Sequence, residues 1–420
     1  MEHNFNFKER LKRPMTYLVT LLKWLLFSGI TGGICGLVGV AFHTLVELAT
    51  ETRTEHSWLI WLLPFSGLVI IFLYHKAGMA HDRGTNLVID SVRAGDKAPI
   101  VMAPLIFIAT ILTHLFGGSS GREGAALQIG GSIGAGLGKL IPLDEKDRQI
   151  IIQSGMSAVF ATIFGTPLTA SVFAMEVITV GKLHYAAFVP CLLSAVIGYS
   201  IACLFGIEPV SFKVPFIPEL SPASILQTIL LAALFALVSI LFCIAMHTAG
   251  KLYKKYLPSQ YIRVFVGGCL VILLTLIVGC RDYNGAGMDI VTAAIGGEAK
   301  PEAFLLKILF TAVTLGAGFK GGEIVPSFFI GSTFGCAIAP LIGMDPAFGA
   351  ALGLISVFCG VVNCPIASLI LSIELFGSEG MLFYGVACSI SYMLSGYYSL
   401  YSSQKFVYSK LNTHRKKKAV

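Results

Sequence analysis

The sequence predicts an all-α protein that crosses a membrane many times, built from two repeats with re-entrant and broken helices. Three observations carry this expectation. The first is composition: of 420 residues, 55% are hydrophobic and 13% charged, and the mean hydropathy is +0.80. No stretch between the apolar segments is polar and long enough for a soluble domain of useful size. The second is an internal repeat. Gly121-Arg122-Glu123 and Gly321-Gly322-Glu323 are offset by 200 residues, as are Gly131-Ser132 and Gly331-Ser332. Ala158-Val159-Phe160, Pro167 and Glu176 pair with Ser356-Val357-Phe358, Pro365 and Glu374 at an offset of 198. The third is that glycine and proline interrupt apolar segments at matching places in both halves. That pattern places an ion site where the two repeats meet.

Charge and cysteine usage exclude several classes. The net charge of +7 is not a nucleic-acid signature, because the basic residues gather at the two ends. Lys8, Arg10, Lys12 and Arg13 stand at one, and Arg415, Lys416, Lys417 and Lys418 at the other. The positive-inside rule then expects both termini in the cytoplasm, an even number of crossings, and a multi-pass protein of the inner (plasma) membrane. No cleavage site of small residues follows a short apolar core near the N-terminus, so no removable signal peptide is expected. The ten cysteines form no Cys-x-x-Cys pair and no Cys/His cluster with the spacing of a metal site. They read as small packing residues, and neither metal, disulfide framework nor cofactor is expected.

In chain order, residues 1–14 read as a polar cytoplasmic lead-in and 15–206 as the first membrane repeat. Met15 to about Ala49 is longer than the ~20 residues of a perpendicular span, so a tilted helix is expected. Trp58–Tyr74 is a second span. Gly84-Thr85-Asn86-Leu87 then offers a small residue, a hydroxyl and an amide before an apolar run, which suits a helix N-terminus at a loop. Pro99–Phe116 leads into the Gly-rich motif at 117–124. The run after Glu123, dotted with Gly130, Gly131, Gly134, Gly136 and Gly138, reads as a short half-helix packed closely by its neighbours. Ile150–Phe164 and Leu168–Val180 form a broken pair around Gly165-Thr166-Pro167, and Tyr185–Phe205 closes the half. A proline-dotted loop, 207–224, separates it from the second repeat, 225–411. There Ile225–Met246, Val264–Val278, Pro301–Leu315 and Met381–Tyr398 read as spans, and Tyr401 to about Leu411 as an amphipathic end. Residues 412–420 are a basic tail.

The motif at 117–124 delivers a helix N-terminus, whose free N–H groups and dipole make an anion site. A carboxylate placed there, Glu123, occupies that site when ionised and leaves it when protonated. The plainer reading is that Glu123 caps its helix. Glu323 stands at the equivalent mouth in the second half and invites the same two readings: a cap that also neutralises Lys320, or a proton relay. Two other chemistries fit fragments of the sequence. Gly118-Ser119-Ser120-Gly121 matches the Gly-x-Ser-Gly pattern of an intramembrane protease, with Ser120 as nucleophile and His184 or His247 as partner. The glycines of 131–138 suggest a dinucleotide loop, but no strand precedes them and no acidic residue follows at the usual interval.

Gly121-Arg122-Glu123-Gly124, the Gly-Gly-Glu-Ile-Val-Pro run at 321–326, the Gly-Thr-Asn-Leu run at 84–87 and the duplicated halves together resemble the CLC family of anion channels and anion/proton antiporters. The resemblance covers essentially the whole chain. It implies no enzyme but a homodimer in the lipid bilayer, each subunit built from two inverted-topology repeats around one anion pathway, with halide ions and protons as its cargo. In it Glu123 is the external gate. Thr85, with Asn86, falls at a hydroxyl position lining the central anion site, and Tyr401 is matched to a tyrosine on the last helix that closes the site from inside. Backbone around Gly121, Gly124 and Ala125, and at Ile324 and Val325, completes the anion site. Three places depart from the chloride-type members: Ala125 where they have proline, the run at 84–88, and Ile324 where they have phenylalanine. The Gly-x-Asn-Leu form, the missing proline and the Gly-Gly-Glu form at 321–323 together resemble the bacterial fluoride/proton-exchanging branch. Thr85 points the other way, since that branch often carries methionine there and a hydroxyl is closer to the chloride-type serine. The resemblance therefore leaves open a fluoride/proton antiporter, a chloride/proton antiporter and a passive voltage-gated-type chloride channel. Many chloride exchangers use a second glutamate after the position of Glu176. Here Val177 occupies it, which leaves Glu123, with Glu323, to carry protons. Glu176 and Glu374 read as structural carboxylates at helix ends, hydrated or paired.

Overall fold

The computed structural model describes residues 7–94, 98–140 and 143–410, with side chains from Met15 onward. The basic tail at 412–420 lies outside them. The first half holds α1 (Phe7–Glu55), α2 (Leu63–Lys76), α3 (Thr85–Ala94), α4 (Met102–Leu115), α5 (Glu123–Leu140), α6 (Glu145–Phe164), α7 (Pro167–Glu176) and α8 (Phe188–Leu204). The second holds α9 (Pro222–Tyr256), α10 (Gln260–Val278), α11 (Met288–Ile295), α12 (Ala303–Ala317), α13 (Ile324–Ile338), α14 (Pro346–Val362), α15 (Pro365–Phe376) and α16 (Met381–Leu394). Six stretches, Ile324–Ile342 among them, are long and apolar enough to cross a membrane, while α4, α12, α14, α15 and α16 are shorter apolar helices. The chain is thus a polytopic helical membrane protein with broken helices, as expected. The lead-in expected at 1–14 merges into α1 from Phe7, and α1 runs 49 residues without a break. That is ~74 Å, more than twice the hydrocarbon thickness, so α1 tilts or projects beyond it.

The repeats are visible in the way each breaks its helices. α6 ends at Gly165, which takes the left-handed conformation at φ 75°, and Pro167 opens α7. At the equivalent place α14 ends at Asn363, φ 57°, and Pro365 opens α15. Proline has no N–H to lose in a first turn, and a left-handed residue closes the turn before it. Asn363 is the one non-glycine residue with positive φ among those described.

Glycines set the closest helix contacts in both halves. A Cβ on Gly130 would lie 2.0 Å from Gly155 O, and one on Gly134 2.5 Å from Ile151 O, so α5 and α6 touch backbone to backbone. Gly331 and Gly335 do the same for α13 against α14, at 2.2 Å from Gly353 O and 2.1 Å from Gly349 O. The glycine-dotted stretch after Glu123 is therefore an unbroken helix whose glycines are packing positions, and no nucleotide loop is formed there.

Glu176 and Glu374 fasten one repeat to the other. The Glu374 carboxylate accepts from Leu168 N at 2.9 Å and Thr169 N at 2.8 Å, at the start of α7. Glu176 accepts from Ile366 N at 3.2 Å and Ala367 N at 2.8 Å, at the start of α15. Each carboxylate satisfies orphan N–H groups at the positive end of the other repeat's helix. Between the repeats lies an aromatic seam: Phe164 against Phe328 at 5.6 Å, and Phe358 against Phe328 and Phe173 at 5.3 and 5.7 Å.

The last segment departs from expectation. Residues 401–410 form turns and a two-residue strand, β2 (Lys405–Phe406), parallel to β1 (Thr179–Val180). Polar partners elsewhere in the fold hold these residues more firmly than a helix of their own would.

Candidate functional site

The two glycine-rich motifs meet face to face. Gly121 N donates to Gly322 O and Gly322 N to Gly121 O, both at 2.7 Å, an isolated antiparallel bridge between the repeats. On either side of it α5 and α13 begin, so two helix N-termini and their unpaired N–H groups converge. Ala125, Ile324 and Val325, expected to offer backbone to an anion, occupy these first turns and are at most 1% exposed. Gly124 is there because nothing larger fits: a Cβ would lie 2.8 Å from Gly322 Cα.

Glu123 opens α5 and is buried, and its Oε2 accepts from Arg122 N at 3.0 Å. The Arg122 guanidinium lies 3.8 Å from its other oxygen. Glu123 and Arg122 both line a cavity of about 590 Å³, together with Arg53, His114, Asn284 and Arg281. The loop at the cavity rim is tied down from below by Lys307, fully buried on α12, whose Nζ donates to Gly285 O at 2.7 Å and Tyr283 O at 3.3 Å.

Glu323 does not behave as a cap. Its side chain makes no capping bond to α13, and Lys320, expected to pair with it, pairs instead with Asp82 at 2.9 Å. Lys320 points toward α3 because Asp82 is nearly inaccessible there and the Tyr74 ring lies 4.3 Å under the ammonium. Glu323 Oε2 is buried with no protein partner. It reaches across the seam, 3.3 Å from where a Gly124 Cβ would stand.

Thr85 opens α3 and is 6% exposed; its hydroxyl donates to Gly124 O at 3.4 Å and accepts from Gln128 Nε2 at 3.2 Å. Asn86 is placed differently from expectation. Its Oδ1 accepts from Ser403 N at 2.8 Å, so its side chain ties the first turn of α3 to the turn at 402–403. Ser403 Oγ also donates to Asp90 at 2.7 Å, and Arg93 donates to Ser403 O. Gln404 adds Nε2 bonds to Val177 O at 3.1 Å and Val362 O at 2.7 Å. This clasp holds Tyr401, 2% exposed, with a phenol that has no protein partner.

Glu123, Gly124, Glu323 and Thr85 are thus brought into one buried seam, while the amide oxygen of Asn86 is engaged by Ser403. The protease reading fails here: Ser120 Oγ has no partner, His184 is exposed, and His247 bonds to Ser399 O at 2.8 Å. Sequence reasoning missed Gln128, the Asp82–Lys320 pair and the Ser403 clasp. Gln128 alone left a signal, a long polar side chain one turn after Gly124 amid the small and apolar residues between Glu123 and Lys139.

An inverted-repeat membrane fold whose half-helices point their N-termini into a common seam is the architecture of an ion transport protein, not of an enzyme. A family model described as "Voltage gated chloride channel" matches residues 66–396. A chloride/fluoride channel protein of Pseudomonas syringae pv. tomato is 34% identical over 410 residues, covering 96% of this chain and 91% of that protein. An H(+)/Cl(-) exchange transporter of Vibrio cholerae is 26% identical over 389 residues, covering 84% and 81%. Among solved structures, a crystal structure of a CLC-type fluoride/proton antiporter superposes with a TM-score of 0.89 at 33% identity, covering 92% of this chain and 98% of that one. A slow cyanobacterial Cl-/H+ antiporter shares the fold, with a TM-score of 0.77 at 21% identity over 89% of this chain and 94% of its own. The chain belongs to the voltage-gated chloride channel (CLC) family.

Proposed function

We propose that this protein exchanges fluoride for protons across the plasma membrane, as a homodimer with both termini in the cytoplasm and one pathway in each subunit. The observation that carries the reading is the position of Glu123. Its carboxylate sits on the first turn of α5 at the wall of the 590 Å³ cavity, where it accepts an N–H that an anion would otherwise take. Ionised, Glu123 competes with the anion for donors. Protonated, it loses that competition and withdraws, and an anion enters the seam. Stripping the anion of water requires donors without a full cation beside it, and first-turn amides, the Thr85 hydroxyl and the Tyr401 phenol are such donors. Glu323, with Oε2 unsatisfied across the bridge, is the partner that receives or supplies the proton on the inner side. Support for fluoride as the anion comes from Ala125 and Ile324 in the motifs and from the fluoride named for two of the relatives.

A second reading, exchange of chloride, is favoured by one observation: a hydroxyl at residue 85, buried and bonded at the start of α3. One experiment separates the readings. Purified protein in liposomes is loaded with fluoride or chloride, and anion efflux is recorded together with external pH. Fluoride efflux that drives proton uptake supports the proposal. Faster chloride efflux selects the second reading, and efflux without proton movement overturns exchange in favour of a passive channel.

A further inference from the structure

Gln128 is the polar side chain in the seam that the transport scheme does not use. It lies on α5, one turn after Gly124, and is 4% exposed. Its Nε2 donates to Thr85 Oγ1 at 3.2 Å and to Gly124 O at 3.3 Å. A backbone carbonyl only accepts, so the bond to Gly124 O fixes the NH2 end of the amide as the end that faces Thr85. Gly124 O receives the Thr85 hydroxyl as well, at 3.4 Å. That distance is at the weak limit for an O–H donor, and its acceptor is shared. The Thr85 oxygen is therefore held from one side, and its hydrogen is held loosely on the other. Oε1 of Gln128 has no protein partner.

We propose that Gln128 is a positioning residue for anion selectivity, polarising the Thr85 hydroxyl and aiming its hydrogen at the anion. The inference rests on the anion pathway proposed above and deepens it. When an anion reaches the seam, the Thr85 hydrogen leaves Gly124 O for the anion, and little is lost because the bond given up is long. Gln128 continues to donate into the Thr85 oxygen. Donation into a hydroxyl oxygen strengthens the bond that the hydroxyl itself donates. The anion that gives up most hydration on entering gains most from a strengthened donor, so the pair favours fluoride over chloride. An isolated threonine would discriminate less.

The test is a double-mutant cycle on full-length protein: Gln128→Leu, Thr85→Val and the two combined. Halide binding is read by calorimetry, and KM and maximal rate for each halide in liposomes. Gln128→Leu is expected to weaken fluoride about fivefold, the scale of one neutral hydrogen bond, and chloride less. In the Thr85→Val background the same change is expected to have no further effect. Gln128→Glu presents an acceptor to Thr85, turns its hydrogen away from the anion, and is expected to weaken fluoride more than leucine does at nearly unchanged size. Gln128→Met replaces leucine in the cycle if the leucine variant does not fold. An unchanged fluoride-to-chloride ratio in folded Gln128→Leu or Gln128→Met overturns the inference. So does a loss of equal size with and without the Thr85 hydroxyl, which marks Gln128 as packing only. Wild-type protein that moves neither halide fails at the earlier step, and overturns the pathway together with this inference.

Discussion

At the scale of single residues the transport scheme turns on two carboxylates that face each other across one pair of backbone bonds. Glu123 has a donor in hand, Arg122 N, and a guanidinium 3.8 Å away. Glu323 has an oxygen with no partner, and the cation expected beside it is engaged by Asp82. Substituting glutamine for either keeps shape and removes titration, but the two variants fail differently. Glu123→Gln loses proton coupling outright, and anion flux either stops, if the amide still blocks, or becomes independent of pH. Liposome flux at two pH values separates these, and coupled transport by Glu123→Gln removes the gate assignment. Glu323→Gln is expected to keep a folded protein whose fluoride-driven proton uptake falls steeply, because no capping bond is lost with the charge. Had Glu323 been a cap, the substitution would cost ~1 kcal/mol of stability and leave transport intact. A melting temperature lowered with coupling unchanged would return Glu323 to that role.

At the scale of elements the fold is held by pairs of helices in glycine contact, and here the sequence was most legible. The glycines of 130–138 announced close packing, whereas Gly331, Gly335, Gly349 and Gly353, which read as helix breaks, lie inside continuous helices. The Gly165-Thr166-Pro167 break was readable because proline and a left-handed glycine each have one place at a helix boundary. What could not be read was the partner. Gly130 meets Gly155, and Gly331 meets Gly353, through contacts that no local pattern encodes. The inner clasp was hidden for the same reason, since Ser403 finds Asn86 and Asp90 more than 300 residues away and so draws residues 401–410 out of helix. Asn86 reads as part of the anion site only through its place beside Thr85 in the motif that carries the resemblance. Its oxygen proved to be the acceptor for Ser403. The glycine contacts make a graded prediction. Gly353→Ala puts a Cβ 2.0 Å from Gly331 O, so α13 and α14 must move apart, with a cost of about 1–3 kcal/mol. Gly33→Ala, in α1, meets nothing within 4 Å and should be neutral or gain up to ~1 kcal/mol of helix stability. Thermal unfolding of both variants in the same detergent checks the pair. Equal melting temperatures would show that the glycine contacts do not hold the repeats.

For the whole molecule, the cross-caps of Glu176 and Glu374 make two repeats into one body, and that body has two distinguishable faces. α10 links them. It starts at Gln260, whose side chain bonds Ala80 O at 2.8 Å on the face that carries Asp82, Lys320 and the inner clasp. Nineteen residues later, ~28 Å away, it ends beside the loop that rims the Glu123 cavity. Basic residues gather on the first face: Lys251, Lys254 and Lys255 toward the end of α9, Arg83 and Arg93 around α3, and Lys405 and Lys410 in the clasp. On the second face Lys300 is paired with Asp282, and Arg281 stands near Asp282 and Asp289 at the cavity rim. The positive-inside rule predicts the clasp on the cytoplasmic side and the Glu123 cavity on the outer side. Cys280, partly exposed in the rim loop, reports that orientation directly, because thiol-reactive reagents find an aqueous thiol and miss those buried in the protein or facing lipid. In right-side-out vesicles of a Cys203→Ser background, a membrane-impermeant maleimide should label Cys280 from outside. A cysteine placed by Ser402→Cys, at an exposed turn beside Tyr401, should be labelled only after the vesicles are opened. The reverse pattern would place Glu123 on the cytoplasmic face, and proton-driven export through an outward gate would then have to run from the opposite end of the pathway.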